Sequence, residues 1–167
     1  MSTEVRFRVR LPDDEWLDEP DLTGRLADLR ELDPIRGALI IGGEEAGTEI
    51  AVTDDLGALA QNVCFGAATQ LAEDRNVAVP HYDKPGYFRL DPEGWWVRLS
   101  GNYVEEIVVP RLGLVDGLVG CGERIAAFMR ALGTRGVQVD DLEEQARGAR
   151  AAVAAGPREW PGAPPPG

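Results

Sequence analysis

From Val5 to Leu11 the chain alternates without exception: Val5, Phe7, Val9 and Leu11 are apolar, and Arg6, Arg8 and Arg10 lie between them. Successive side chains of a strand point to opposite faces, so this run specifies a strand with one buried and one solvated face. A slip of one residue would expose its whole apolar set, which makes the pairing register stringent. Pro12 ends the run. Ala38–Ile41 and Thr48–Thr53 are β-rich and read as a hairpin joined by the loop Gly42–Gly47. Asn76–Pro80 and Tyr87–Leu90 read as short extended runs, and Asp91–Gly94 as a turn. Trp95–Ser100 and Tyr103–Val109 flank Gly101-Asn102, a two-residue hairpin loop by composition. That loop would pair Ser100 with Tyr103, Arg98 with Glu105 and Trp96 with Ile107. One face would then carry Trp95, Val97, Leu99, Val104 and Val108, and the other Trp96, Arg98, Tyr103, Glu105 and Ile107.

Helical spacing fills the intervals. Leu22, Leu26, Leu29 and Leu32 predict a short amphipathic helix that runs to Asp33 and is stopped by Pro34. Leu56, Leu59, Ala60, Val63, Ala67 and Leu71 predict another, N-capped by Asp54 or Asp55 and reaching about Glu73. Pro110 opens a long helix that Gly133 closes; its Gly117, Gly120 and Gly122 imply either a break or close packing onto the sheet. A last helix spans about Asp140–Ala154, capped by Asp140 or Asp141, with a weak face of Leu142, Ala146, Ala149 and Val153. Strands clustered in hairpins, then helices, predict an α+β fold: a mainly antiparallel sheet with helices packed on one face. The expected single domain covers residues 1–155, and residues 156–167, rich in Pro and Gly, read as a disordered tail.

Composition narrows the function. Over 167 residues, 29 acids oppose 17 bases, for a net charge of -12. That balance argues against nucleic acid and anionic membranes as partners, since both attract Lys/Arg surplus. No apolar run approaches the ~20 residues of a membrane span. The first ten residues hold no apolar signal region, so a cytoplasmic protein is expected. Lys84 is the only lysine, an arginine bias that reads as the codon habit of a GC-rich bacterial genome. Cys64 and Cys121 lie among apolar residues and read as buried thiols.

Chemistry-bearing motifs are absent from the sequence. With one histidine and neither C-x-x-C nor H-E-x-x-H, neither a metal site nor a cofactor is expected. Gly42–Gly47 has no Lys-Ser/Thr after it and carries Glu44 and Glu45, which would repel phosphate. A thiol enzyme would need Cys64 or Cys121 with His81 and Asp83, but a thiolate is disfavoured among apolar neighbours. Glu105 and Glu106, adjacent on a strand, would face opposite sides. The expectation is a protein that is not an enzyme.

The acidity is regional. Residues 1–55 carry 15 acids and 6 bases, and residues 111–167 carry 7 of each. Asp13, Asp14, Glu15, Asp18 and Glu19, with Trp16 embedded and Glu44 and Glu45 on the hairpin loop, suit a docking site for a basic protein. Trp96 and Tyr103 add candidate contact aromatics on the last hairpin. A small, acidic, single-domain α+β chain of this kind, with a hairpin followed by Pro110 and a closing helix, resembles the immunity proteins that neutralise bacterial polymorphic toxins. That resemblance implies stoichiometric inhibition of a cognate toxin by carboxylates that block its substrate site. The alternatives are a scaffold component that docks through Trp160 and the Pro-rich tail, and the thiol enzyme.

Overall fold

The structure is a computed structural model, which describes residues 3–42, 48–133 and 137–166. Strand β1 (Glu4–Arg10) buries Val5, Phe7 and Val9 as its alternation dictates. It pairs antiparallel with β3 (Arg36–Gly42), which forms a hairpin with β4 (Glu49–Asp55). On the outer face, Arg6 sits opposite Ile40 and Arg8 opposite Ala38. Ile40 and Ala38 are nonetheless buried, as expected where arginine stems lie along a sheet surface with their charged ends in water.

The acidic segment is more ordered than a loop. Trp16–Asp18 forms β2, which pairs Arg10 with Trp16 and Arg8 with Asp18 and makes the sheet order β2-β1-β3-β4. The helix expected over Leu22–Asp33 is split into α1 (Glu19–Leu22), a 3-10 turn (Thr23–Arg25) and α2 (Leu26–Leu29). Leu22 and Leu29 still reach the core, so the apolar spacing found its target through a less regular backbone.

A second antiparallel sheet, in the order β5-β6-β7-β8, holds β5 (Val77–Pro80), β6 (Tyr87–Glu93), β7 (Trp96–Gly101) and β8 (Ile107–Pro110). The tight turn lies between β6 and β7, at Gly94-Trp95, with Glu93 opposite Trp96. The expected register of the last hairpin is corrected by three residues: Arg98 faces Val108 and Leu99 faces Ile107. Its connection is Asn102–Glu106, with Tyr103 at φ 71°. Trp96 and Tyr103 therefore do not share a strand face with Ile107. Val109 is buried, and Val108 is exposed instead.

Between β4 and β5, α3 (Leu56–Ala58), a π-helical run (Leu59–Ala67) and α4 (Ala68–Ala72) make one continuous helical segment. The Asp55 carboxylate caps it by accepting from Ala58 N at 2.9 Å. Helix α5 (Arg111–Ala131) passes through its glycines unbroken. A β-carbon on Gly122 would stand 2.5 Å from Phe65 Cε1, and one on Gly117 would stand 2.8 Å from Val5 Cγ2. The glycines are where α5 packs closely against the π-helical run and β1. Helix α6 (Val137–Ala155) starts before Asp140 and buries Leu142, Ala146, Ala149 and Val153. One apolar cluster joins the inward residues of both sheets with all of these helices. The fold is mixed α+β in a single domain.

Residues 157–166 carry neither helix nor strand, yet they have defined neighbours. Trp160 packs edge-on against Trp95, with ring centroids 5.3 Å apart, and the Trp95 indole donates to Gly162 O at 3.2 Å. Where composition predicts a disordered tail, this segment lies along the domain.

Candidate functional site

Two surfaces compete for the role of contact site. The first is the acidic segment. Asp18 accepts from Arg8 at 2.7 Å, Asp14 pairs with Arg10, and Glu19 pairs with Arg124 at 2.7 Å while also accepting from Phe7 N. Asp13 accepts from Glu15 N at 3.0 Å. Trp16 is 38% exposed and lies 6.0 Å from the Arg10 guanidinium. Glu44 and Glu45 lie outside the described residues. Three of the five carboxylates from Asp13 to Glu19 thus hold the fold together, and the outward charge falls to Asp13 and Glu15.

Of the second surface, the sequence offered only Tyr103 as a candidate. Tyr82, Tyr87 and Tyr103 are 76%, 52% and 64% exposed and sit on or beside the β5–β6 and β7–β8 connections. Their backbones are fixed from several directions. Asn102 accepts from Tyr87 N at 2.9 Å through its side chain and donates its own N–H to Tyr87 O at 3.0 Å. His81 N donates to Gly86 O at 3.0 Å, and Gly86, at φ +106°, has no room for a β-carbon beside Asn102. Tyr103 occupies the left-handed region, a strain of order 1–3 kcal/mol for a bulky residue, which clusters at ligand-contacting sites.

The first sheet braces these loops. Asp54 is buried at the end of β4; it accepts from Tyr82 N at 2.8 Å and from Asp55 N at 2.7 Å. Lys84 Nζ donates to Thr53 O and to Asp83, and Arg36 donates to Asp83 at 2.5 Å. Burial raises the Asp83 carboxyl, but hydrogen bonds and charge from Lys84 and Arg36 outweigh it and hold it below its ordinary value. The His81 ring packs edge-on against Tyr103 at 5.4 Å, and Lys84 Nζ lies 5.4 Å from the Tyr103 ring centroid.

As chemistry, the cluster is weak. His81 Nδ1 lies 3.9 Å from Asp54 Oδ2, beyond hydrogen-bond reach, and its Nε2 is buried without a partner. Cys64 and Cys121 are free, buried thiols, placed away from it on the π-helical run and α5. Burial pushes the Cys64 thiol well up, reinforced by a hydrogen bond with Cys121, which is opposite to the direction that activates a nucleophile. Iodoacetamide should accordingly label both thiols of the folded protein only as fast as it opens, and rapidly once denaturant is added. Fast labelling of the native chain, read by mass spectrometry, would contradict this burial. Among the described residues no group of three or more His, Cys, Asp or Glu could hold a metal ion. No helix there is long and apolar enough to cross a membrane.

Beside the tyrosines runs a groove of about 800 Å³ with Tyr82 on its rim. Gln61 and Asn62 of the π-helical run, Gln138 of α6, Asp33 and Arg30 line it. π-helical geometry is rare, and where it occurs as a single-turn bulge it is frequent at functional sites. Asp33, on this groove, and Glu105, two residues beyond Tyr103, have no ion-pair partner among the described residues. Comparison of the chain with family models, curated proteins and solved structures finds no match.

Proposed function

We propose that the chain is a non-enzymatic protein-binding module, an immunity-type inhibitor that caps a basic bacterial toxin domain. The observation that carries this reading is the braced tyrosine set. Of the five exposed large hydrophobic residues among those described, three are Tyr82, Tyr87 and Tyr103, held at one end of the second sheet. Tyrosine is enriched among residues that dominate binding energy, and a rigid backbone lowers the ordering cost of association. The adjacent groove offers side-chain amides for a partner backbone, and Asp33, Glu105 and Glu15, which form no ion pair among the described residues, supply the charge that steers a basic partner. Asp14, Asp18 and Glu19 are then engaged with Arg10, Arg8 and Arg124, and Trp96 lies at the β6–β7 turn, at the other end of the second sheet from the tyrosines.

A scaffold role through the tail has less support, because Trp160 is already engaged with Trp95. The test is affinity purification from the native cell at low salt, followed by sizing of the eluted complex. A basic protein recovered in one-to-one ratio and released at high salt is the expected result. Recovery of no basic partner, or loss of the partner on deletion of residues 156–167, overturns the proposal.

A further inference from the structure

Four strands form the outer edges of the two sheets, and three of them are guarded against a further strand. β2 spans three residues, and β5 and β8 are short strands that end on Pro80 and Pro110. Short edges and edge prolines block strand-to-strand association. β4, the outer strand of the first sheet, has seven residues, Glu49–Asp55, with neither a proline nor a basic residue among them.

The alternation of the ladder fixes which backbone groups β4 leaves open. Phe7 N donates to Glu19 and Val5 O accepts from Arg124, so the odd-numbered residues of β1 turn their backbone groups away from β3 and the even-numbered ones bond to it. Carried across the register, Leu39 and Ile41 face β4 and bond to Val52 and Ile50. Glu49, Ala51 and Thr53 therefore turn their N–H and C=O groups outward. Thr53 O agrees with this phase, because it accepts from Lys84 Nζ at 2.5 Å. Lys84 closes that end of the edge. Among the described residues no backbone group pairs with the outward N–H and C=O of Ala51. The side chains of Ala51 and Thr53 are small and exposed, which lets another chain approach closely.

The edge is acidic and leads to the tyrosine loops. Glu49 is 46% exposed although Arg6 reaches it, and Asp55 at the far end forms no ion pair among the described residues. Lys84 is already paired with Asp83. Beyond Thr53, Asp54 holds Tyr82 N, and the groove lined by Asp33, Asp55 and Tyr82 opens there.

We propose that the partner adds a strand to β4: an extended, basic segment of another protein, whose backbone pairs with Ala51 and whose cationic side chains face Glu49 and Asp55. The proposal rests on the protein-binding reading and names how the partner is held. In this mode main-chain hydrogen bonds supply affinity, and complementary charge selects the partner. A second copy of the chain is disfavoured, because pairing β4 with β4 would bring two chains of net charge -12 edge to edge.

The test is amide hydrogen exchange of the full chain, read by NMR, with the probe peptide Lys-Val-Lys-Val-Lys-Val-Lys. In the free chain the Ala51 amide should exchange quickly and those of Ile50 and Val52 slowly. The peptide should slow exchange at Ala51 saturably. The same peptide methylated on its backbone nitrogens keeps the charge, loses the strand hydrogen bonds and should leave Ala51 unprotected, a control that needs no variant to fold. Ala51→Pro removes the outward N–H without costing a bond to β3, and should weaken peptide binding about tenfold while Ile50 and Val52 stay protected. Unchanged exchange at Ala51, equal protection by the methylated peptide or by Glu-Val-Glu-Val-Glu-Val-Glu, or protection that grows with protein concentration alone overturns the proposal. If a captured partner binds Ala51→Pro as tightly as the native chain but Tyr82→Ala weakly, strand addition fails and the binding-module reading stands. If the peptide protects Ala51 but no basic partner is captured, the module reading fails and β4 remains a strand-accepting edge.

Discussion

Gly122→Val is expected to be among the most damaging single substitutions in the protein, lowering stability by about 3 kcal/mol, the upper end of ordinary overpacking costs. Intrinsic helix propensity points the other way, since glycine within a helix costs ~1 kcal/mol relative to alanine. Packing decides the sign. A β-carbon there would meet Phe65 Cε1 at 2.5 Å, Cys64 Cβ at 2.7 Å and Phe65 Cζ at 2.7 Å. Phe65 and Cys64 are buried on the π-helical run, so neither can swing into solvent. Valine adds two more methyl groups to that contact, and α5 has to move away from the segment that carries Gln61 and Asn62. For a chain of this size the loss corresponds to a fall in Tm of about 6–12 °C. Gly148→Ala is the control: Gly148 lies on α6 with nothing within 4 Å of its would-be β-carbon. There propensity acts alone, and Tm should rise by a few degrees. Thermal denaturation of the two variants checks both signs, and a rise for Gly122→Val would refute the packing account.

This contrast also marks what the sequence could and could not disclose. Helical spacing located α5 and showed its glycines, but whether they break the helix or let it pack closely depends on Phe65 and Val5, which are remote in sequence. Period-two patterning found β1 because one face of it is buried, whereas the β3–β4 hairpin showed as two β-rich runs about a glycine-containing loop, with β3 buried on both faces. It misplaced the last hairpin, since Gly101-Asn102 has the composition of a two-residue turn. In the fold Gly101 is a strand residue at φ +131°, where a β-carbon would lie 2.3 Å from Tyr87 O. Asn102 is instead spent on holding Tyr87. The acidic segment was visible as charge, but the pairing of Arg8 with Asp18 follows from a β2 strand that no alternation announces. The tyrosine surface was the least legible part. Tyr103 could be singled out, but its ring neighbours His81 and Lys84 come from the β5–β6 connection, and the residues that brace that connection, Arg36 and Asp54, come from β3 and β4, so no local pattern unites them.

The acidic segment and the tyrosine loops predict different mutational signatures for binding. Tyr82→Ala and Tyr103→Ala should each weaken the captured partner by about 30-fold, the ~2 kcal/mol of an aromatic contact residue. The loss should appear in the dissociation rate, because an anchor that fills a partner pocket acts after encounter. Tyr82 is 76% exposed, so its truncation should leave Tm nearly unchanged. Asp13→Asn and Glu15→Gln act differently. Both residues are exposed and, among the described residues, form no ion pair, so neutralising them should slow association a few-fold and flatten its salt dependence while leaving dissociation as it was. Asp18→Asn should lose stability rather than affinity, because its partner Arg8 belongs to the same sheet. Surface plasmon resonance on the purified pair separates the two rates. If the acid variants raise the dissociation rate while the tyrosine variants leave it alone, the contact surface is the β2 edge, and the braced loops serve only to join the two sheets.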